Sequence, residues 1–278
     1  MSRQQGLQLW SAQTAAILRL ELRRILWSRR AIPAWLLAAS PVVLFGGHSL
    51  AAELGWSQCR GREDLLIWAA TFQTYYLRLA IFFGCVGLFM NLFRGEMVEK
   101  TLHYYLLAPL RREVLAAGKY LAGLLAALAL FAAGTAASYL IVREHVASLN
   151  NWDLAAAPPL KYLAGYLGVT TLAVIGYGAL FMLFGLVCRN PMFPAVLVLI
   201  WESVNLFLPP LLKRLSVVYY LDALCPIEIP GRGGRLFAMT ADPPSAPVAV
   251  VGLLALSAAL VTASALRLKR IEIRYGTD

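Results

Sequence analysis

Charge is scarce in this chain. Only 14% of its 278 residues are Asp, Glu, Lys or Arg, while 60% are apolar. Soluble domains carry about 25% charged residues, so the deficit, with a mean hydropathy of +0.66, excludes a soluble fold and indicates a polytopic membrane protein. Histidine is scarcer still. His48, His103 and His145 are scattered, with no HExxH and no neighbouring carboxylate pair, so no metal site is read from them. The four cysteines make no framework. Cys85 lies inside an apolar run and Cys188 at the edge of another, and no spacing matches a metal site. Cys59 and Cys225 fall on the same predicted outer side, where an oxidising compartment would permit a disulfide. There is no phosphate-binding GxxxxGK[ST] loop. The Gly118-Lys119 pair is followed by Tyr120 and lacks the upstream glycine, and 231–234 reads as a flexible turn. No G-x-S-x-G elbow occurs either. The sequence therefore offers no catalytic, cofactor-binding or metal-ligating residue, and any energy source must be external.

What is present is a series of six apolar runs, over 31–50, 65–93, 114–142, 160–188, 192–208 and 248–266. About 20 apolar residues suffice to cross a bilayer as a helix, so the expected fold is all-α with six transmembrane helices in a single domain. Ahead of them, Leu18, Leu22, Ile25 and Leu26 gather on one helical face of residues 15–30. Arg19, Arg23 and Arg30 lie toward another, Leu20 breaks the pattern, and Trp27 sits at the boundary. Such a helix lies in the headgroup plane. A signal peptide cleaved after Ala51 would need an n-region of about 30 residues, far longer than usual. The segment 209–247 begins amphipathic and ends rich in Pro and Gly, which predicts a re-entrant or interfacial helix pair. The tail 267–278 is expected to be short and solvated.

With both termini inside, the cytoplasmic segments hold twice the Lys and Arg of the outer loops, and the whole formal excess of +10 lies on that face. That is the positive-inside distribution. The basic balance reports topology, and no aromatic–basic module calls for a nucleic-acid partner.

Between the second and third runs lies a stretch dense in charge, with Arg94, Glu96, Glu99, Lys100, Arg111, Arg112, Glu113 and Lys119. It cannot lie in lipid. Its middle, 101–107, is a short amphipathic piece stopped by Pro109, and the residue before a proline leaves the α region, so the chain should turn at Ala108. The order Glu96, Thr101-Leu102, Leu106-Leu107, Pro109, Arg112-Glu113, Gly118-Lys119 resembles the cytoplasmic loop of ABC type-2 transporter permeases. Lys100 stands where a glycine is usual there, and Arg111 where a small residue is usual. The resemblance implies that 1–30 is the elbow helix and that 94–113 holds a coupling helix docking on a separate ATP-hydrolysing subunit. It further implies subfamily G-like (type V) exporter architecture in a bacterial inner membrane. Two copies, or one with a sister permease, would pair with two ATP-binding subunits that hold the ATP and Mg. Under that reading Leu102, Leu106 and Leu107 form the apolar dock with Arg111 and Arg112 as its charged rim, or else anchor the loop at the headgroups. Glu96 pairs with Arg94 or another cytoplasmic cation. Glu99, Thr101 and Glu113 belong to the same surface.

Two charged residues, Arg78 and Glu202, are expected to sit deep in the hydrocarbon. Arg78 is about 24 Å along its helix from Arg94, and Glu202 about 20 Å from Arg189, at a 1.5 Å rise per residue. A lone charge at mid-depth costs at least ~3 kcal/mol, so each needs a partner or a wet cavity. In the resembled exporters the second and fifth spans line the central path. Arg78 and Glu202 are therefore expected either to line a translocation cavity, as an ion pair or as substrate contacts, or to form an architectural bridge. Asn205 could share that cavity, and Phe72 and Tyr75 (with Tyr76) could wall it or simply pack. The functional expectation is the membrane-spanning permease of an ATP-driven exporter. A membrane-embedded enzyme, or a secondary transporter or scaffold working without an ATPase, is the alternative.

Overall fold

The computed structural model describes residues 3–56, 62–107, 111–150, 157–188, 190, 192–205, 208–229 and 244–270. All the regular structure among them is helical. Five helical stretches are long and apolar enough to cross a membrane: Arg29–Glu53, Glu63–Val98, Arg112–Leu149, Leu160–Val187 and Ala246–Lys269. They match the first, second, third, fourth and sixth apolar runs.

Helix α1 (Arg3–Trp27) precedes them and is joined through a 3-10 turn (Arg29–Ala31) to α2 (Ile32–Glu53). The second stretch is composite: α3 (Arg62–Thr71), a π-helical segment (Phe72–Ala80), then α4 (Ile81–Val98). Nine consecutive π-helical residues are unusual, since this geometry generally appears as single-turn bulges. After the short α5 (Leu102–Leu107) comes α6 (Arg112–Leu149), whose 38 residues make a rod of about 57 Å. The hydrocarbon core is only about 30 Å thick, so both ends of α6 project beyond it. No charged residue occurs between Lys119 and Arg143 on this helix. Helix α7 (Leu160–Val187) returns alongside, and α11 (Ala246–Lys269) packs on α7 and α6.

The core forms where α4, α6 and α7 meet. Glycines let neighbouring helices approach closely there. A Cβ on Gly185 of α7 would lie 2.7 Å from the Met90 carbonyl oxygen of α4, and one on Gly123 of α6 would lie 2.9 Å from the Phe89 ring. Large rings fill the remaining volume. Trp68 stacks on Phe72 and meets Tyr139 and Tyr166 edge-on, with centroids 4.7–5.4 Å apart. By contrast α2 and α11 expose rows of large apolar side chains, among them Leu36, Val43, Leu44, Val251 and Leu254. Apolar surface of this extent is what a lipid-facing helix presents.

The fifth apolar run behaves differently. The expected span over 192–208 contains α8 (Met192–Ser203), only 12 residues and about 18 Å long. Two short helices follow, α9 (Pro210–Lys213) and α10 (Val217–Asp222), with α10 packed against α7 and α11. Pro209 and Pro210 forbid a continuous helix, and Glu202 spends its carboxylate on the next element instead. Two short helices, α9 and α10, thus stand where a re-entrant or interfacial pair was expected.

Candidate functional site

The chemistry gathers at the end of the bundle where α1, α4, α5 and α6 converge. Its centre is Lys119 on α6, a fully buried side chain. The preceding residue makes this possible: a Cβ on Gly118 would sit 3.1 Å from Ile17 Cγ2, so glycine lets α1 lie close against α6. Helix α1 turns Ile17, Glu21 and Ile25 inward, one turn apart, and carries Glu21 into the interior between two isoleucines. Arg19, Leu20 and Arg23 are exposed, and Leu18, Leu22 and Leu26 flank the contact.

All three ammonium hydrogens of Lys119 have acceptors. Nζ donates to Glu21 Oε1 at 2.5 Å, to Glu96 Oε1 at 2.6 Å and to the Leu92 carbonyl at 3.2 Å. The same nitrogen lies 4.8 Å from the Tyr105 ring centroid and 5.4 Å from that of Phe93, within cation–π range. An outer layer surrounds this core. Arg24 Nη1 donates to Glu96 Oε1 at 2.8 Å and Nη2 to Glu99 Oε2 at 3.0 Å, while Arg30 Nη2 meets Glu99 Oε1 at 2.7 Å. Lys119, Arg24 and Arg30 thus balance Glu21, Glu96 and Glu99, and that neutrality is what permits the burial. Burial works against the Arg24 charge, but Glu96, Glu21 and Glu99 outweigh it and hold its pKa above the ordinary guanidinium value. Burial, then Glu21 and Glu96, push the Tyr105 hydroxyl up to about 12. It therefore remains a phenol and donates to Glu21 Oε1 at 3.3 Å. A cleft of about 350 Å³ between α1, the 29–31 turn and α4 leaves Arg24, Arg30 and Glu99 reachable from outside.

Helix α5 hangs from this network by a tight turn. Thr101 N–H bonds the Glu96 carbonyl at 2.9 Å and Lys100 N–H the Met97 carbonyl at 3.3 Å, a Schellman end to α4. Lys100 holds the left-handed position with φ +55°, where glycine is ordinarily favoured. This is the place where the resembled motif has glycine. The turn sends Leu102, 2% exposed, and the half-buried Tyr105 into the base of the bundle. Tyr104 and Leu107 stand 68% and 81% exposed. The outward apolar surface of α5 is therefore Tyr104 with Leu107, whereas Leu102 belongs to the interior. The side chain of Leu106, and Pro109 altogether, lie outside the described residues. Arg111 is exposed at the head of α6. Arg112 Nη1 donates to the carbonyls of Leu268 and Lys269 at 3.1 and 2.7 Å, satisfying the end of α11, and Glu113 pairs with Lys269 at 2.6 Å. These two residues join α6 to α11.

The mid-chain charges Arg78 and Glu202 each bond to a partner other than one another. Arg78 pairs with Asp222 at 2.6 Å. Glu202 accepts from Ser216 Oγ at 2.5 Å and from the N–H groups of Val217 and Val218 at 2.9 and 3.0 Å. It holds the N-terminus of α10 as a capping carboxylate does. Arg78 and Glu202 thus address opposite ends of one short helix. Asn205 is buried just beyond α8, and Phe72 is core, ringed by Trp68, Tyr76 and Tyr166. Tyr75 is half-buried against the same core.

Comparison with protein-family models, curated proteins and solved structures returns no match.

The sequence pattern pointed to Glu96, Glu99 and the short amphipathic piece 101–107, and the structure brings these together. It did not point to Glu21, Arg24 or Lys119 as their partners, nor to Asp222. A signal existed for Glu21, which sits four residues from both Ile17 and Ile25 on the apolar side of its helix. At the opposite end of the bundle a second group assembles, His48, Asp64 and His145. The linear distances between these residues conceal it. The proposed Cys59–Cys225 pairing lies outside the described residues, because Cys59 is not among them.

Proposed function

We propose that this chain is the membrane-spanning permease subunit of an ATP-driven exporter of the ABC type-2 kind. In this reading α5 is the element that a separate ATP-hydrolysing subunit moves. The observation that carries it is the joint between α5 and the helix bases. An exposed apolar pair, Tyr104 and Leu107, sits on a short helix whose inner residue Tyr105 touches both Glu21 and Lys119. Through those two side chains α5 is tied at once to α1, α4 and α6. Force applied to α5 is therefore delivered to three helices rather than dissipated in a loop.

The rest of the reading follows from what the chain carries. Its sequence has no phosphate loop, so nucleotide and Mg belong to the partner. Two copies of this subunit, or one with a second permease, would pair with two ATP-binding subunits in a bacterial inner membrane, with both termini cytoplasmic. The path would run along the composite second stretch and the broken fifth one, where Arg78–Asp222 and Glu202 hold α10 in place. Pulling the protein from mild detergent with its partner tests this. A nucleotidase carrying the phosphate loop should co-purify, and Leu107→Asp should abolish its retention while membrane insertion stays intact. Transport by vesicles containing this chain alone would overturn the proposal.

A further inference from the structure

Helices α2, α3 and α6 meet at the end of the bundle opposite the Lys119 network, and each contributes one polar side chain to a common point. His48 comes from the end of α2, Asp64 from the first turn of α3 and His145 from the end of α6. His48 Nε2 lies 3.3 Å from Asp64 Oδ1, and His145 Nε2 lies 4.0 Å from Asp64 Oδ2. The three ligand atoms are all within 4.8 Å of one another. In a tetrahedral site with metal–ligand bonds of about 2.0–2.1 Å, ligand atoms are roughly 3.3 Å apart. One edge already has that length, and no other exceeds 4.8 Å.

Two further features separate this cluster from an ordinary ion pair. Asp64 Oδ2 and His145 Nε2 are both buried and neither has a hydrogen-bond partner. Burying two polar atoms unsatisfied is costly, and here they face each other across a distance too long for a hydrogen bond. The other nitrogen of His145, Nδ1, is within 3.3 Å of Ser49 Oγ. That contact fixes the ring so that Nε2 points at Asp64, the orientation that metal-binding histidines receive from their outer neighbours. His48 has 39% of its side chain exposed, which supplies an entry path.

We infer that His48, Asp64 and His145 bind a divalent transition ion of the Zn²⁺ class, with water in a fourth position. Two imidazoles and one carboxylate suit Zn²⁺ and its neighbours, whereas Ca²⁺ and Mg²⁺ prefer oxygen alone. The ion joins the ends of α2, α3 and α6, and the site owes nothing to the partner or transport reading above.

The test is titration of chelator-stripped full-length protein, freed of any histidine tag, with Zn²⁺ alone against a chromophoric chelator. One tight equivalent per chain is expected. His145→Gln and His48→Gln should each weaken it by more than about 100-fold, and Ser49→Ala by about 10-fold, the range for an outer-shell partner. His103→Gln, on α5 at the other end, should leave it unchanged. Because His48 is half-exposed, its variant should fold even where His145→Gln does not. Absence of a stoichiometric site, or retention of wild-type affinity in His48→Gln, overturns the inference.

Discussion

Replacing Lys119 by Met removes the cation but keeps the length and apolar volume of its stem. In the wild type Lys119 Nζ is 2.5 Å from Glu21 Oε1 and 2.6 Å from Glu96 Oε1. The two carboxylate oxygens it leaves behind are consequently no more than about 5 Å apart, in a region without solvent. Breaking a buried pair by deleting one partner costs about 3–5 kcal/mol, because the remaining charge stays desolvated and unpaired. At about 2–4 °C per kcal/mol for larger domains, the apparent melting temperature in detergent should fall by roughly 6–20 °C. Arg24 cannot compensate, since it already serves Glu96 and Glu99. The variant should regain stability as the pH is lowered from 7 toward 5. Two carboxylates that close, with no cation between them, repel in the folded state alone, and uptake of one proton relieves that repulsion. Trypsin should also cut sooner at Arg19 and Arg23 as α1 loosens. Adding Glu21→Leu to Lys119→Met removes the second charge, so the double variant should lose less than the sum of the singles by about 2 kcal/mol. A cost below about 1 kcal/mol for Lys119→Met, or strict additivity in the cycle, refutes the idea that this network holds α1 to the bundle.

Other expectations are simpler. Lys100→Gly relieves the left-handed φ of +55°, so it should raise stability by about 1 kcal/mol, read as a higher melting temperature. Glu202→Ala strips three hydrogen bonds from the start of α10 and should cost about 2–3 kcal/mol, with faster hydrogen exchange at Val217 and Val218. Gly134→Ala would drive a Cβ onto the Ala38 carbonyl and the Tyr76 hydroxyl. It should cost at least about 1–3 kcal/mol and break the 3.0 Å bond from Tyr76 to the Phe131 carbonyl, lowering expression and thermal stability together.

The long helices were readable because lipid imposes a simple rule on composition: the runs at 31–50, 114–142 and 160–188 are nearly free of charge, and each lies in a long helix. The short piece at 101–107 was readable for a similar reason, since a charged, proline-stopped segment between apolar runs has nowhere else to go, while the turn expected at Ala108 lies outside the described residues. The fifth run is harder to read, because hydropathy averages over Glu202 and does not reveal that its carboxylate is needed by backbone N–H groups fifteen and sixteen residues later. Partnership across helices was the least legible feature. Lys119 stands 98 residues from Glu21 and 23 from Glu96, and Asp64 is 16 from His48. Nothing in local periodicity encodes those distances, which depend on how Gly118 and its counterparts set the spacing of the helix axes.

Helix α6 carries Lys119 near one end and His145 near the other, 26 residues and about 39 Å along a single axis. No proline interrupts it, so it has no built-in knee. Pivoting such a beam by about 10° around its Lys119 foot would swing the His145 tip sideways by about 7 Å. Whatever nudges one face of the bilayer is thereby felt, mechanically and without relay, on the other.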